Sequence, residues 1–213
     1  MGISKVKNTC LLAVMAFFML SCSKEEVYGP WDLKNGQEVE VQVSHRYGAV
    51  DDDVTLLSTN KPGDMSLYGF SARKPGYNYR VKAKMIAPDQ PMADGPSYYL
   101  EFIEVLSEEK HEGTESFEIE LIQAPVPSGP MIVLMKEENQ YWFEEKIQLT
   151  TNDDLVNSQL QEIWEHREII RENHENDAMM FTPLKWKSVR ATVTHDPDNF
   201  GKAYLVSNIE FVE

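Results

Sequence analysis

Histidine is the residue type in this chain best suited to binding a metal ion or moving a proton. The sequence holds five: His45, His111, His166, His174 and His195. A zinc site on a helix needs ligands three or four residues apart. His166 and His174, which fall in a predicted helix, would be separated by about 12 Å, at about 1.5 Å per residue. Two such histidines can share a helix face, but they cannot hold one ion alone. The spacing therefore favours solvated helix histidines and predicts no metal site.

Aspartates that could bind calcium occur in two places. The segment from Asp196 to Gly201 begins like a calcium loop, but the twelfth position, where an EF-hand needs Glu, is Ser207. A hairpin turn rich in Asp, Asn and Gly explains this segment without a metal. The run Asp51-Asp52-Asp53 has the same explanation. We predict neither a metal nor a cofactor.

No catalytic motif stands out. The chain has no nucleophile elbow, no phosphate-binding glycine loop and no dinucleotide fingerprint. Carboxylate pairs such as Glu108-Glu109 and Glu144-Glu145 are typical of solvated faces in so acidic a chain, and no catalytic residue is predicted. Aromatic residues could bind a sugar or a peptide strand, although core filling is the preferred interpretation. They fall into two groups: Tyr68, Phe70, Tyr77, Tyr79, Tyr98, Tyr99 and Phe102, then Tyr141, Trp142, Trp186, Tyr204 and Phe211.

The N-terminus has the pattern of an export signal. Lys5 and Lys7 precede an uncharged apolar run, residues 10–20, that is too short to span a membrane. Ser21-Cys22 follows directly and resembles the lipobox of bacterial lipoproteins. This resemblance implies cleavage after residue 21 and a thioether-linked diacylglycerol on Cys22. An ordinary cleaved signal or an uncleaved anchor is the alternative.

The residues after Cys22 carry a second resemblance. Lys24-Glu25-Glu26 resembles the signal that sends some Gram-negative lipoproteins to the outer face of the outer membrane. It implies a surface-exposed, lipid-anchored protein; retention on the periplasmic face is the alternative.

Composition excludes several partners. The chain has 35 acidic and 20 basic residues, and loss of residues 1–21 would leave 18 basic residues and a net charge of −17. Such a chain is a poor match for nucleic acid or for docking on anionic lipid through a basic patch. With Cys10 removed and Cys22 modified, the mature fold would have no disulfide.

Alternation of apolar and polar residues predicts a mainly β protein. We predict a tether (22–36), a first β-unit (37–107), a charged linker (108–114) and a second β-unit (115–213). Val81-Lys82-Ala83 resembles Val189-Arg190-Ala191, and Ile103 to Leu106 resembles Ile209 to Val212, which indicates a tandem repeat. Each unit would be a five-stranded, OB-like small barrel, or alternatively two packed sheets.

One helix is expected inside the second unit, at about residues 153–174. Thr151 would cap it, with Asp154 near the positive end of the helix dipole. Apolar residues then recur at helical spacing: Val156, Leu160, Ile163, Trp164 and Ile170. This stripe should pack on the second sheet.

Residues 37–107 resemble a family of domains of unknown function found in bacterial envelope lipoproteins, sometimes beside META domains. The resemblance lies in Gly69-Phe70, Pro75 to Val81, Pro91 to Tyr98 and Glu104-Val105-Leu106. Many members carry a cysteine pair in the early strands, which this chain lacks, so a stapled first hairpin is not expected. The family implies a location and a domain type but no activity.

The sequence therefore favours a lipid-anchored envelope protein that binds a protein, peptide, glycan or small ligand without catalysis. The alternatives are a glycan-acting or other hydrolase that uses unpatterned carboxylates, and a structural or stress-related envelope lipoprotein without a ligand.

Overall fold

The computed structural model describes residues 26–52, 54–90, 95–124, 129–177 and 182–213. The predicted signal peptide and the residues Cys22, Lys24 and Glu25 lie outside these ranges. So do Asp53 and residues 91–94. Within the described ranges, no helix is long and apolar enough to cross a membrane.

The fold is mainly β with curled sheets, one of which forms a half-barrel, and this confirms the predicted class. The first sheet has six strands in the order β5-β4-β3-β7-β8-β6, in which only β6 and β8 are parallel. Its strands are β3 (Glu38–Val43), β4 (Val54–Leu56), β5 (Lys61–Gly63), β6 (Leu67–Tyr68), β7 (Tyr77–Ile86) and β8 (Tyr99–Lys110). A two-stranded ribbon precedes it, formed by β1 (Val27–Tyr28) and β2 (Leu33–Lys34).

The second sheet also has six strands, in the order β12-β13-β14-β16-β15-β9, and only β14 and β16 are parallel. They are β9 (Phe117–Glu120), β12 (Leu134–Glu137), β13 (Gln140–Phe143), β14 (Ile147–Thr150), β15 (Ser188–His195) and β16 (Ala203–Val212). A separate pair is formed by β10 (Ile122–Gln123) and β11 (Met131–Ile132). Six strands per sheet exceed the five expected. In the first sheet the short β5 lacks a clear alternating pattern, and in the second a turn at residues 144–146 divides one alternating run into β13 and β14.

Alternation places one face of each long strand in a core. In β7, Tyr79, Val81, Ala83 and Met85 are buried while Arg80 is exposed. The buried apolar residues form two clusters, one per sheet. Leu33 belongs to the first cluster, so part of the predicted tether packs on the first sheet.

The longest strand differs from its prediction. The alternating pattern predicts a strand that ends at residue 106, but β8 continues to Lys110 because β7 offers partners as far as Tyr77. Residues 108–110, predicted as the start of a linker, therefore lie in the sheet. Two register shifts in the β7–β8 pairing leave Ile103 and Leu106 without a direct partner on β7; such β-bulges bend a strand locally.

The predicted helix is present as α1 (Asp154–Asn176), between β14 and β15. Val156, Leu160 and Ile163 are buried in the cluster of the second sheet. The cap is Asp153 rather than Thr151: its carboxylate accepts hydrogen bonds from the backbone N–H groups of Leu155 and Val156. A carboxylate at the N-cap satisfies the free N–H groups and also meets the helix dipole favourably.

Candidate functional site

One segment of the first half, residues 44–52, joins the two sheets, and we call it the junction segment. It leaves β3 and lies along β9, where Ala49 forms a β-bridge with Ile119 and Val50 N–H donates to Glu118 O at 2.9 Å. The hydroxyl of Tyr204, on β16, donates to Tyr47 O at 2.8 Å. Ala49 is part of the second core. The first sheet is thus attached to the second through main-chain and core contacts.

A cleft of about 570 Å³ lies on one side of this segment, and we call it the junction cleft. Three parts of the chain line it: the junction segment, residues 64–73, and the turn between β13 and β14. Ligand sites commonly occur in such clefts between structural units. Its polar and aromatic lining includes Tyr47, Asp52, Tyr68, Arg73, Glu144 and Lys146.

A mostly buried ion pair fixes one wall of the cleft. Arg73 Nη1 and Nη2 donate to the two carboxylate oxygens of Asp52 at 2.7 and 2.6 Å, and both side chains are under a fifth exposed. Asp52 also accepts from Gly48 N–H at 3.2 Å. Burial raises the pKa of Asp52, and the hydrogen bonds from Arg73 offset only part of that rise. With its oxygens engaged, this carboxylate positions the segment and is poorly placed to transfer a proton.

Two cations approach the ring of Tyr47. Lys146 Nζ lies 4.1 Å from the ring centroid, and the Arg73 guanidinium carbon lies 5.1 Å from it. These are cation–π distances. Burial and the neighbouring Arg73 lower the pKa of Lys146. Within the described ranges no carboxylate forms an ion pair with Lys146, so its ammonium group can receive an acceptor from a ligand.

The turn opposite Tyr47 has a strained backbone. Glu144 and Glu145 have φ values of 50° and 58°, a region that costs a residue with a Cβ about 1–2 kcal/mol. Gln123 Nε2 donates to the Glu144 carboxylate at 2.7 Å and holds it beside the cleft. The β12–β13 hairpin has the same pair of positive φ values at Glu138 and Asn139, as two-residue hairpin turns require. The sequence pattern gave this acidic pair no role, because positive φ cannot be read from two glutamates.

The aromatic residues separate into core and surface groups. Phe70 and Tyr79 are buried and meet edge to face, with ring centroids 5.0 Å apart. Tyr204 and Trp186 are buried in the second core. Core filling is therefore correct for most of the predicted aromatic set. Tyr68, Tyr99 and Trp142 belong to neither core, and Tyr68 is 48% exposed and lines the junction cleft.

Three of the five histidines meet on the other side of the junction segment, and we call them the histidine cluster. His45 follows β3, His111 follows β8 and His195 ends β15. His45 Nδ1 lies 2.8 Å from His195 Nε2, and the rings of His45 and His111 are stacked with centroids 3.5 Å apart. His111 Nε2 lies 3.0 Å from the Glu115 carboxylate.

The surroundings of His45 and His195 favour their uncharged forms. Phe117, Phe200 and Tyr204 lie around His195, with ring centroids 5.5 Å from it. Burial, followed by repulsion from His111, lowers the pKa of both His45 and His195 to about 4. In the part of the chain that the structure describes, no group of three or more His, Cys, Asp or Glu residues is arranged to hold a metal ion.

The two helix histidines differ from each other. His174 is exposed, as predicted. His166 is half-buried, accepts a hydrogen bond from Lys185 N–H at 3.0 Å and packs against Trp186. The prediction of a solvated side chain is wrong for His166, because the segment before β15 folds back over the helix.

The predicted hairpin turn after β15 is organised by Asp196. This buried carboxylate accepts hydrogen bonds from Thr150 Oγ1 at 2.8 Å and from the backbone N–H groups of Asp198 and Asn199. Burial opposes ionisation, but these hydrogen bonds outweigh it and lower the pKa of Asp196. Its oxygens are used within the turn.

Of the predicted lipidation and export residues, only Glu26 lies in a described range. It is exposed and accepts a hydrogen bond from the Tyr28 hydroxyl at 2.7 Å. Comparison with protein-family models, curated proteins and solved structures finds no match to this chain.

Proposed function

We propose that this chain is a lipid-anchored cell-envelope protein that binds a polar ligand in the junction cleft and has no catalytic activity. The observation that supports the proposal is the position of Lys146, which has no ion-pair partner among the described residues, over the Tyr47 ring in a cleft that Glu144 also lines. An open site with a donor, an acceptor and an aromatic face suits a ligand rich in hydroxyl groups. A glycan is therefore the ligand class we favour over a peptide or a protein.

The geometry favours binding over hydrolysis. A glycosidase needs one carboxyl group free to act as acid and another free to act as nucleophile or base. Asp52 is held by Arg73, and Glu144 accepts from Gln123. The hydrolase and the ligand-free structural protein remain the alternatives, and the binding experiment distinguishes them.

Binding of a panel of neutral and acidic oligosaccharides to the full chain tests the proposal. We expect at least one sugar to bind, and Tyr68→Ala and Lys146→Gln to weaken that binding by about tenfold or more, as the loss of about 1.4 kcal/mol would. His174→Gln, at an exposed position on α1 away from the cleft, is the matched control. Equal binding by the cleft variants, or no binding, would overturn the proposal, and cleavage of a bound sugar would favour the hydrolase.

Lipidation of Cys22 and export through Lys24-Glu25-Glu26 are part of the proposal. The apolar run, the small residue and Cys22 stand in the expected order, and β1 begins only at Val27, which leaves a short spacer after the lipid. We expect Cys22→Ala to remain uncleaved and to incorporate no labelled fatty acid. Digestion by protease on intact cells would support the outer face, whereas protection until the outer membrane is opened would support the periplasmic face.

We also propose that the two sheets are tandem copies of one OB-like unit, as the family resemblance of the first half allows. In the first sheet β3, β7, β8 and β6 are neighbours in that order, and β9, β15, β16 and β14 have the same order and the same strand directions. Lys82 pairs with Glu104 as Arg190 pairs with Glu210. The helix α1 would then be an insertion between two equivalent strands. Cooperative folding of residues 115–213 alone, followed by circular dichroism, tests this arrangement.

A further inference from the structure

The histidine cluster joins elements from both sheets at the place where the junction segment starts. His45 is the second residue after β3, and its Nδ1 faces Nε2 of His195 on β15 at 2.8 Å. His111 covers the other face of the His45 ring, with the two planes only 3° apart. The segment that carries His45 continues to Tyr47, Ala49 and Val50, which hold it on the second sheet. The cluster is thus one of the attachments between the sheets.

We propose that the histidine cluster is a proton-sensitive latch between the two sheets: in the neutral state it holds the junction segment on the second sheet, and on protonation it releases that segment. The latch acts on the junction segment itself and does not depend on which ligand the junction cleft binds.

The hydrogen-bonding positions of His195 explain why protonation would open the latch. Its Nδ1 is buried and has no hydrogen-bond partner among the described residues, while its Nε2 faces His45 Nδ1. If Nε2 carries the proton of the neutral ring, an added proton on Nδ1 would be a buried N–H without an acceptor. If Nδ1 carries it, an added proton on Nε2 would face the N–H of His45. Either placement is costly.

Charge on the stacked pair is equally unfavourable. Imidazolium rings 3.5 Å apart would repel each other in a partly buried site. The charged groups around the cluster give little compensation. Arg46 lies on the junction segment, and its positive charge repels a charged His45. Lys110 packs over the Phe200 ring and is a cation, so it gives no compensation. Asp196 is used by Thr150 and by its own turn. Among the described residues, Glu115 is the one nearby carboxylate that favours the charged form, and it faces His111 from a largely exposed position.

The same segment connects the latch to the junction cleft. Tyr47, Gly48 and Asp52 line the cleft, and they lie within seven residues of His45 in the sequence. Release of the segment would therefore move the ring on which Lys146 rests. The pKa of the partly exposed His45 and of the buried His195 is lowered to about 4, so the latch responds to acid exposure and stays closed near neutral pH.

Hydrogen–deuterium exchange of the full chain between pH 7.5 and pH 4 tests the latch, with labelling times scaled for the intrinsic pH dependence of exchange. Peptides covering residues 44–52 and 109–118 should lose protection by about tenfold or more on acidification, while peptides of α1 keep theirs. In His195→Gln, whose neutral side chain cannot be charged, this local loss should be absent or much smaller. His174→Gln, on the exposed helix surface, should behave like the wild type.

Two results would overturn the proposal. One is an unchanged exchange rate at 44–52 on acidification; the other is a loss of protection that is the same in wild type and His195→Gln. Should His195→Gln fail to fold at pH 7.5, nuclear magnetic resonance titration of the wild-type histidine rings replaces it. Titration of His45 and His195 below pH 5, together with shifts at Ala49 and Val50, supports the latch, whereas titration near pH 6.5 without such shifts contradicts it.

Discussion

The two sheets have the same number of strands but cover their cores differently. The second sheet is covered by α1, which buries Val156, Leu160 and Ile163 against it. Among its described elements the first sheet has no helix, and it relies on Leu33 from the ribbon and on Met65 and Phe70 from the connection to β7. The junction segment adds Ala49 and Tyr47 to the second core and so ties the first sheet to the second. We therefore expect the first sheet to depend on the second.

The ion pair of Asp52 and Arg73 should show this dependence most strongly. Asp52→Asn leaves a mostly buried guanidinium without its counter-charge, and we expect it to lower the free energy of unfolding by about 3–5 kcal/mol. Its neighbour Asp51 pairs with Arg46 at an exposed site, so Asp51→Asn should cost about 1 kcal/mol or less. Urea denaturation measures both. Equal effects would mean that the ion pair does not anchor the junction segment.

Removal of the helix contact should affect both sheets. Leu160 is fully buried, and Leu160→Ala should cost about 3 kcal/mol, from lost burial and the cavity left behind. Leu155 on the same helix is 68% exposed, and Leu155→Ala should change stability by about 0.5 kcal/mol or less. If the second sheet supports the first, tryptophan fluorescence and exchange protection in both sheets shift together. A first sheet that stays protected would contradict the dependence.

Acid should weaken the junction through His45 and His195. The pKa of His45 and His195 lies below the usual value in the folded chain, so the unfolded chain binds more protons between about pH 6.5 and pH 4. Their contribution is therefore complete above pH 6.5 and is lost as the pH falls toward 4. After allowance for the partial exposure of His45, we expect about 2 kcal/mol for the pair. Thermal unfolding across this range, compared between wild type and His195→Gln, measures the share of this loss that is due to His195; parallel curves would contradict the prediction.

The contact between the junction segment and the second sheet leaves no room at Gly48. An added Cβ would lie 2.6 Å from Phe143 Cε1, and φ is +72°. Gly48→Ala should therefore cost about 1–2 kcal/mol more than a change that introduces backbone strain alone. Gly36→Ala is that control, because its φ is +80° and its nearest neighbour, Lys84 Cε, is 4.0 Å away. Similar losses in the two variants would show that the segment yields easily.

The elements that follow a local pattern could be predicted, and the site could not. The alternation in β3, β7 and β15 and the helical spacing from Val156 to Ile170 report on neighbours along the chain, so they indicate the mainly β class and the position of α1. The histidine cluster joins residues 45, 111 and 195, whose meeting depends on how the two sheets pack. The local pattern indicates only that His166 and His174 share a helix, and these two residues are not part of the cluster. Lys146 and Tyr47 are likewise neighbours only in the folded chain.

The outer edge of β8 affects whether neighbouring molecules can pair through their sheets. Within the described structure β6 pairs only with Leu100 and Glu101, so the outer edge of β8 is bare from residue 102 onward. The bulges at Ile103 and Leu106 interrupt its hydrogen-bonding groups, and Glu108 and Glu109 add like charges. An irregular, charged edge of this kind disfavours extension of the sheet by a neighbouring copy. For molecules anchored in one plane by lipid, as we propose, frequent collisions would then seldom lead to a shared sheet.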